Sequence, residues 1–200
     1  MGARIRTAQL SKLERVGAQR AVRKGTKLAA ELGVIETERL ALRRLTEDDA
    51  PMILALLNEP SFLQFIGDRK VRTLEDARAY ITNGPMAMYE RHGFGLWHAG
   101  LRETGEAIGM CGLIKRDALP DVDVGFAFFP GFCGRGYATE SAAAAIEFGK
   151  QQFGLTRIVA VMQPNNAMSR RVLEKLGFET EGTVRLVEGG DELELLGRDV

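Results

Sequence analysis

One stretch of the chain constrains its fold more than any other, because a strand, a loop, a helix and a second strand follow one another there. Asp121–Phe129 alternates as a strand does, and Pro130 ends it because proline cannot donate to a sheet ladder. Gly134-Arg135-Gly136 then leads into an alanine-rich helix over Ala138–Phe153, and Arg157–Gln163 is a buried strand. The pattern predicts a crossover connection within one sheet.

The rest of the chain adds hairpins and shorter helices. Strand patterns occupy Ile35–Leu45, Gly95–Arg102, Glu106–Arg116 and residues 178–187 and 191–198. Capping residues predict helices after Thr46 and Thr73 and at Ala167–Leu176, with Pro60 ending the first and Asn83-Gly84-Pro85 breaking the second. We expect a mixed α/β fold, with a mostly antiparallel sheet of about seven strands and helices on both faces.

Composition narrows the class of protein. A chain of 200 residues suffices for one domain with an extension, and two cysteines with two histidines argue against a disulfide framework or a zinc site. No apolar run approaches the roughly 18 residues of a membrane span, and the first residues lack the apolar core of a secretory signal. The sequence predicts a cytoplasmic protein, monomer or homodimer, without a metal or a membrane partner.

Charge is distributed unevenly along the chain. Residues 1–34 hold eight Lys/Arg against Glu14 and Glu31, which leaves 19 basic and 25 acidic residues in 35–200, a net charge of −6. That balance argues against nucleic acid and favours a cationic amine as ligand. We expect residues 1–34 to be a basic extension, disordered or loosely helical, although a partner-binding arm is the alternative, and residues 35–200 to form the domain.

The loop before the long helix has the properties of an anion site. Phe126–Glu140 reads FAFFPGFCGRGYATE, in which glycines let the backbone approach a ligand and the helix start presents unpaired N–H groups. These features favour a diphosphate, although a plain strand-to-helix connection shares them. A Walker loop is excluded because the Lys-Ser/Thr pair is missing, and Thr139 stands where a dinucleotide-binding loop has its third glycine.

A second motif, Pro164–Phe178, reads PNNAMSRRVLEKLGF. An asparagine cap, apolar positions at helical spacing and a closing glycine account for a helix. They do not account for Asn166 and Ser169, which lie three residues apart on one face near the helix start.

Together the two motifs resemble the GNAT superfamily of N-acetyltransferases, and most closely its branch similar to ribosomal-protein N-terminal acetyltransferases. The segments ETERLALRRLTEDDA (36–50) and IGMCGLIKRD (108–117) also resemble that branch. The resemblance spans about residues 35–200 and leaves out residues 1–34. It implies acetyl transfer from acetyl-CoA, as cosubstrate, to the amine of a small molecule or a protein N-terminus.

The resemblance also implies site residues. The backbone of Phe126, Ala127 and Phe128 would pair with the pantetheine amides as an added strand does. Asn166 and Ser169 would lie near the pantetheine and the thioester sulfur. Backbone N–H groups would hold the diphosphate in the loop formed by Gly134, Arg135, Gly136, Tyr137, Ala138 and Thr139. This chain departs from many relatives at Gly131, where they have Gln or Arg, and at Leu173, where they have a tyrosine general acid.

The chemistry requires a base more than an acid. A lysine-type ammonium has a pKa of about 10.4 and must lose a proton before attack, whereas a thiol with a pKa of about 8.5 leaves without much help. Asp123 is our candidate base, because Asp123, Gly125 and Ala127 share one strand face and the small residues leave room against it. A solvated strand-start aspartate is the alternative. Ser169 would assist the departing sulfur, or bond only to its own helix.

Other reactive side chains have structural interpretations in this pattern. Asp121 is a weaker candidate base, and Glu140 suits the first helical turn through the helix dipole. We interpret both histidines, His92 and His98, as structural, and Cys133 as unreactive because no partner base is identifiable. Core packing is the expected role of the aromatic residues, with the acceptor cleft as the alternative; they are Phe62, Phe65 and Trp97.

Two other functions stay open from the sequence. A transferase for a longer acyl chain would need more room beside Gly125 and Ala127. A non-catalytic acyl-CoA sensor is favoured by leucine at 173 in place of the tyrosine. The identity of the amine cannot be read from the residues.

Overall fold

The structure is a computed structural model and describes residues 34–200. The extension predicted over residues 1–34 therefore lies outside the described residues, except for Val34. None of the helices in the described range is long and apolar enough to cross a membrane.

The sheet has eight strands in the order β1-β2-β3-β4-β5-β6-β8-β7. All neighbouring strands are antiparallel except the pair β5 and β6, which confirms the mixed sheet. The strands are β1 (Ile35–Glu36), β2 (Leu40–Arg44), β3 (Leu96–Leu101), β4 (Ala107–Lys115), β5 (Val122–Phe128), β6 (Arg157–Met162), β7 (Glu179–Val184) and β8 (Leu193–Asp199).

The eighth strand arises where the sequence predicts one continuous strand over Ile35–Leu45. Thr37 turns the chain there, since its Oγ1 accepts the Leu40 N–H at 2.9 Å and its own N–H reaches the Leu40 carbonyl at 2.9 Å. β1 and β2 then pair with each other as a short antiparallel hairpin.

Six α-helices accompany the sheet in the described range: α1 (Ala50–Leu57), α2 (Pro60–Phe65), α3 (Leu74–Ile81), α4 (Ala87–His92), α5 (Tyr137–Phe153) and α6 (Ala167–Lys175). The predicted capping box at the start of α3 is present, with Asp76 N–H donating to Thr73 Oγ1 at 3.1 Å and Thr73 N–H donating to Asp76 at 2.9 Å. It fixes the helix start that the sequence predicted.

Two predictions about prolines are wrong. Pro60 begins α2 instead of only ending α1, because the first helical turn needs no donor from that residue. Asn83-Gly84-Pro85 does not break the chain into separate helices, since a π-helical turn over Thr82–Met86 joins α3 to α4. The wider turn accommodates a residue that lacks an N–H group.

Two hydrophobic cores lie on opposite faces of the sheet. Met110 and Cys111 are neighbours on β4, yet Met110 packs with the α1–α3 core and Cys111 with the α5–α6 core. Adjacent strand residues point to opposite faces, so helices cover both sides as predicted.

β5 and β6 position the site. They pair only through Val122 with Ile158 and Asp123 with Val159, and then separate. The register of β5 against β4 is continuous, so Asp123, Gly125 and Ala127 do share a face. That face is the one covered by α1–α3, where Ala127 and Phe129 pack.

Candidate active site

A cavity of about 660 Å³ opens where β5 and β6 separate. Asp123 through Ala127 form one wall, and residues 160–163 at the end of β6 form the opposite one. The start of α6 contributes Asn166, Ser169 and Leu173. The structure thus brings together both predicted catalytic residues, Asp123 and Ser169, with part of the predicted cofactor-binding set.

The outer part of the cavity is built from three connections. The α2–α3 segment contributes an apolar wall that ends in a cation, the β4–β5 turn contributes Arg116 and Asp117, and the β7–β8 turn contributes an apolar edge with Asp191. These outer residues are Phe62, Phe65, Ile66, Arg69, Tyr80, Arg116, Asp117, Leu186, Val187 and Asp191.

Asp123 is not the solvated aspartate that was the alternative interpretation. Only 1% of the residue is exposed, and its Oδ2 accepts from Arg116 Nε at 2.6 Å. Its Oδ1 is buried without a hydrogen-bond partner among residues 34–200. Burial raises the pKa of Asp123 to about 6, and the ion pair with Arg116 opposes part of that rise.

The start of α6 is fixed by its cap. Asn166 is buried, and its Oδ1 accepts the Ser169 N–H at 3.0 Å. This leaves the Asn166 amide N–H groups and the half-buried Ser169 hydroxyl at the cavity. Leu173 lines the same space and carries no proton donor.

The small residues of β5 leave less room than the sequence suggests. A Cβ built on Gly125 would lie 3.0 Å from Ile114 Cδ1 and 3.7 Å from Leu96 Cδ2, so neighbouring side chains already occupy this space. Phe126 and Ala127 line the cavity, whereas Phe128 is buried in the core and does not.

The glycine loop lies outside the cavity lining, at the start of α5. Gly134 and Gly136 have φ of +76° and +85°, which side chains rarely adopt, so the turn into the helix requires glycine. Arg135 is exposed, with its carbonyl accepting from Arg39 Nη1 at 3.0 Å, and the other loop residues are partly buried: Tyr137, Ala138 and Thr139.

Glu140 is held by β1–β2 and does not fill the anion site. It accepts from Thr37 Oγ1 at 2.6 Å and from Arg39 N and Nε at 2.9 and 2.7 Å. Burial opposes ionisation, yet these hydrogen bonds keep the pKa of Glu140 below its usual value. The carboxylate is neutralised locally, so the N–H groups of the helix start stay available to another anion.

The side chains interpreted as structural lie away from the cavity lining. His98 is buried and its pKa is lowered by that burial, while His92 stacks on Phe94 with ring centroids 5.7 Å apart. Burial raises the pKa of the Cys133 thiol, which disfavours a nucleophilic thiolate. Trp97 is in the core as expected, but Phe62 and Phe65 line the cavity.

Sequence reasoning missed Arg116, Arg69 and Tyr80. Arg116 lies beyond the end of β4, and the β4–β5 pairing of Ile114 with Asp123 brings it to the carboxylate. Hairpin pairing around Pro120 is a signal that could have suggested this contact. Arg69 and Tyr80 come from a segment without a strand pattern, and no signal in the sequence points to them.

Known proteins match both the chain and its fold. The family description "Acetyltransferase (GNAT) domain" matches residues 39–179. The uncharacterized N-acetyltransferase YoaA of Bacillus subtilis is 31% identical over 156 residues, which cover 76% of this chain and 86% of YoaA. YnaD, an uncharacterized N-acetyltransferase of the same species, is 30% identical over 148 residues, with 74% and 84% coverage.

Solved structures agree. An acetyltransferase from Agrobacterium tumefaciens has a TM-score of 0.71 and 26% identity, over 82% of this chain and 93% of its own. RimL, a ribosomal L7/L12 alpha-N-protein acetyltransferase in complex with coenzyme A, has a TM-score of 0.71 and 20% identity, over 84% and 98%, which shows the shared fold. The family match covers most of the residues that build the sheet and the cavity, and the chain belongs to the GNAT family as an acetyl-CoA-dependent acetyltransferase.

Proposed function

We propose that the enzyme transfers acetyl from acetyl-CoA directly to a primary amine, on a small molecule or a protein N-terminus, within a ternary complex. The observation that carries the proposal is Asp123, a buried carboxylate with an unpartnered oxygen at the fork between β5 and β6. A fork of this kind offers a strand edge to one substrate and a proton acceptor to the other.

The fork fits the pantetheine arm of acetyl-CoA. After Asp123, β5 loses its pairing with β6, so the edge at Phe126, Ala127 and Phe128 is free to pair with amide groups as a neighbouring strand would. Asn166 contributes N–H donors from the opposite side. We assign the diphosphate to Gly134–Thr139, because the long helix α5 begins there and Glu140 is already neutralised.

The proposed step moves one proton and breaks one bond. The acceptor ammonium gives a proton to Asp123 Oδ1, and the neutral nitrogen attacks the thioester carbon. The N–C bond forms, the C–S bond breaks, and the sulfur leaves as thiolate, which takes a proton from Ser169 or from water. Asp123 returns its proton to solvent before the next cycle.

The acidity of Asp123 suits this role better than that of an ordinary aspartate. A carboxyl with a pKa of about 6 is ionised at pH 7 and above, yet is closer to an α-amine, at about 8, than a carboxyl at 3.8 would be. The gap of about two units costs about 2.7 kcal/mol, against about 6 kcal/mol for a lysine-type amine. An α-amine is therefore the favoured acceptor.

The experiment that tests the proposal measures free thiol and acetylated product together. Purified enzyme is incubated with acetyl-CoA and a panel of amines, with an amine-free reaction and an enzyme-free reaction as controls. Thiol release that depends on an amine and equals the product formed supports direct transfer. Binding of acetyl-CoA without thiol release from any amine would support the sensor alternative, which the absence of a hydroxyl at Leu173 favours.

A further inference from the structure

Arg69 lines the outer part of the cavity as a cation without an ion pair. The other arginine of the lining, Arg116, is bound to Asp123, and the neighbouring Arg72 is bound to Asp68 at 2.7 Å. Within residues 34–200, no carboxylate approaches the Arg69 guanidinium within 4.0 Å. A free guanidinium beside a substrate cavity is suited to bind an anionic group of the substrate.

The segment that carries Arg69 is held in a defined conformation. Asp68 accepts the Lys70 N–H at 2.7 Å and also binds Arg72, whose guanidinium donates to Asn58 Oδ1 at 3.1 Å. Lys70 has φ of +55° and is the one non-glycine residue of the described chain with positive φ. Strain of this kind persists where surrounding contacts fix it, and here it accompanies a side chain that lines the cavity.

The surroundings of Arg69 indicate what accompanies the anion. Tyr80 lies in the same wall, and burial raises the pKa of its phenol, so it stays protonated and is able to donate a hydrogen bond. Phe65 and Ile66 add apolar surface beside it, with 40% of Ile66 exposed. The outer cavity thus combines two donors with an apolar wall.

Building on the proposed function, we propose that the acceptor is a free amino acid with an apolar side chain, whose α-carboxylate is bound by Arg69 with the help of Tyr80. Its α-amine then faces Asp123, and its side chain packs on Phe65 and Ile66. Arg69 is a specificity-determining residue in this arrangement, because an amine without the carboxylate leaves the cation without a partner.

The same contact assists deprotonation. A carboxylate next to an ammonium stabilises the charged form and raises the pKa of the amine. An ion pair with Arg69 neutralises that carboxylate and removes the stabilisation, so the amine approaches the acidity that Asp123 is able to match. Binding and activation of the acceptor are coupled through one arginine.

The test compares three forms of one acceptor. L-Leucine, L-leucinamide and 3-methylbutylamine share the side chain, but only leucine has the carboxylate; the corresponding phenylalanine set and short peptides complete the panel. Arg69→Gln removes the charge and Arg69→Lys keeps it. Arg78→Gln is the matched control, because Arg78 is exposed on α3, pairs only with Glu75 and does not line the cavity.

We expect kcat/KM for the amino acid to exceed that for its amide, and Arg69→Gln to lower it by about 10- to 100-fold, the usual loss for one charged hydrogen-bonding partner. The same change leaves the amide and the KM for acetyl-CoA unaffected, Arg69→Lys restores part of the loss, and Arg78→Gln has no effect. The unchanged melting temperature of each variant shows that it is folded.

Two results would overturn the inference in different ways. Transfer to peptides or carboxylate-free amines that is equal to transfer to amino acids and insensitive to Arg69→Gln removes the carboxylate site but leaves amine acetylation standing. No amine-dependent thiol release from any member of the panel removes both this inference and the proposed function.

Discussion

Replacing Asp123 by asparagine keeps the shape of this side chain and removes its charge. Because the pKa of Asp123 is raised to about 6 by burial, the folded protein binds the proton more tightly than the unfolded chain, for which the pKa is 3.8. The stability contributed by the neutral carboxyl is therefore fully present below about pH 4 and is lost as the pH rises through about 6. Asparagine does not titrate and avoids this loss.

The size of the effect follows from the two pKa values. Above pH 7 the difference of 2.2 units corresponds to about 3 kcal/mol, and between pH 5 and pH 8 the wild-type protein loses about 1.4 kcal/mol. Asp123→Asn leaves Arg116 without its charged partner at both pH values, so this cost cancels in the comparison. The stability of the variant relative to wild type should rise by about 1.4 kcal/mol from pH 5 to pH 8.

Catalysis should change in the opposite direction. Without the base, turnover at pH 8 should fall roughly 10²- to 10⁴-fold, with acetyl-CoA affinity unchanged. In the wild-type enzyme, kcat/KM should decline as the pH falls through about 6, and this limb should be absent from the residual activity of the variant.

Urea unfolding at pH 5 and pH 8 measures the first effect, and thiol release over the same pH range measures the second. Asp121→Asn is the control, because Asp121 precedes the same strand, pairs with Arg157 at 3.3 Å and does not line the cavity. A stability difference that is the same at both pH values would show that burial does not raise this pKa. Turnover within twofold of wild type would exclude Asp123 as the base.

Three further substitutions test other parts of the site. Ser169→Ala should lower turnover by about tenfold, measured by thiol release, because a thiolate leaves with little assistance; a loss larger than that of Asp123→Asn would move the centre of catalysis to the start of α6. Gly136→Val places a side chain at φ of +85°, and should abolish the rise in melting temperature that acetyl-CoA gives, whereas Gly131→Val, with open space around it, should not. Ile114→Val removes the Cδ1 that lies 3.0 Å from a Cβ at Gly125, and should raise turnover of propionyl-CoA relative to acetyl-CoA by about tenfold; an unchanged ratio would place the acyl group elsewhere.

The parts of the fold that the sequence predicts are those governed by local chemistry. The start of α3 follows from Thr73 and Asp76 alone, and the start of α6 from Asn166, because each cap bonds within three residues. The strands of the β4–β5 pair follow from alternation and from the turn around Pro120. The failures at Pro60 and Pro85 share one cause: proline excludes a hydrogen bond at one position, but the geometry of the next turn decides whether a helix continues.

The site is less accessible to sequence reasoning because its chemistry depends on long-range pairing. Asp123 was identified by its strand face, but its burial depends on β6, more than 30 residues away along the chain, and its ion pair on Arg116 across a turn. Room beside Gly125 was inferred from the absence of a side chain, whereas Ile114 from β4 occupies it. A pattern within one strand reports which way a residue points, and not what its neighbours place there.

The position of Asp123 explains how one carboxylate combines burial with access. It is the last residue of β5 that pairs with β6, so the ladder shields it on one side while the cavity begins at the next residues. At Val122, one position earlier, a side chain points to the opposite face and packs in the α5–α6 core. At Gly125, two positions later, the strand is already unpaired on this side and a carboxylate would be less desolvated. A raised pKa requires removal from water and proton transfer requires contact with substrate, and the fork between the strands is where one side chain meets both conditions.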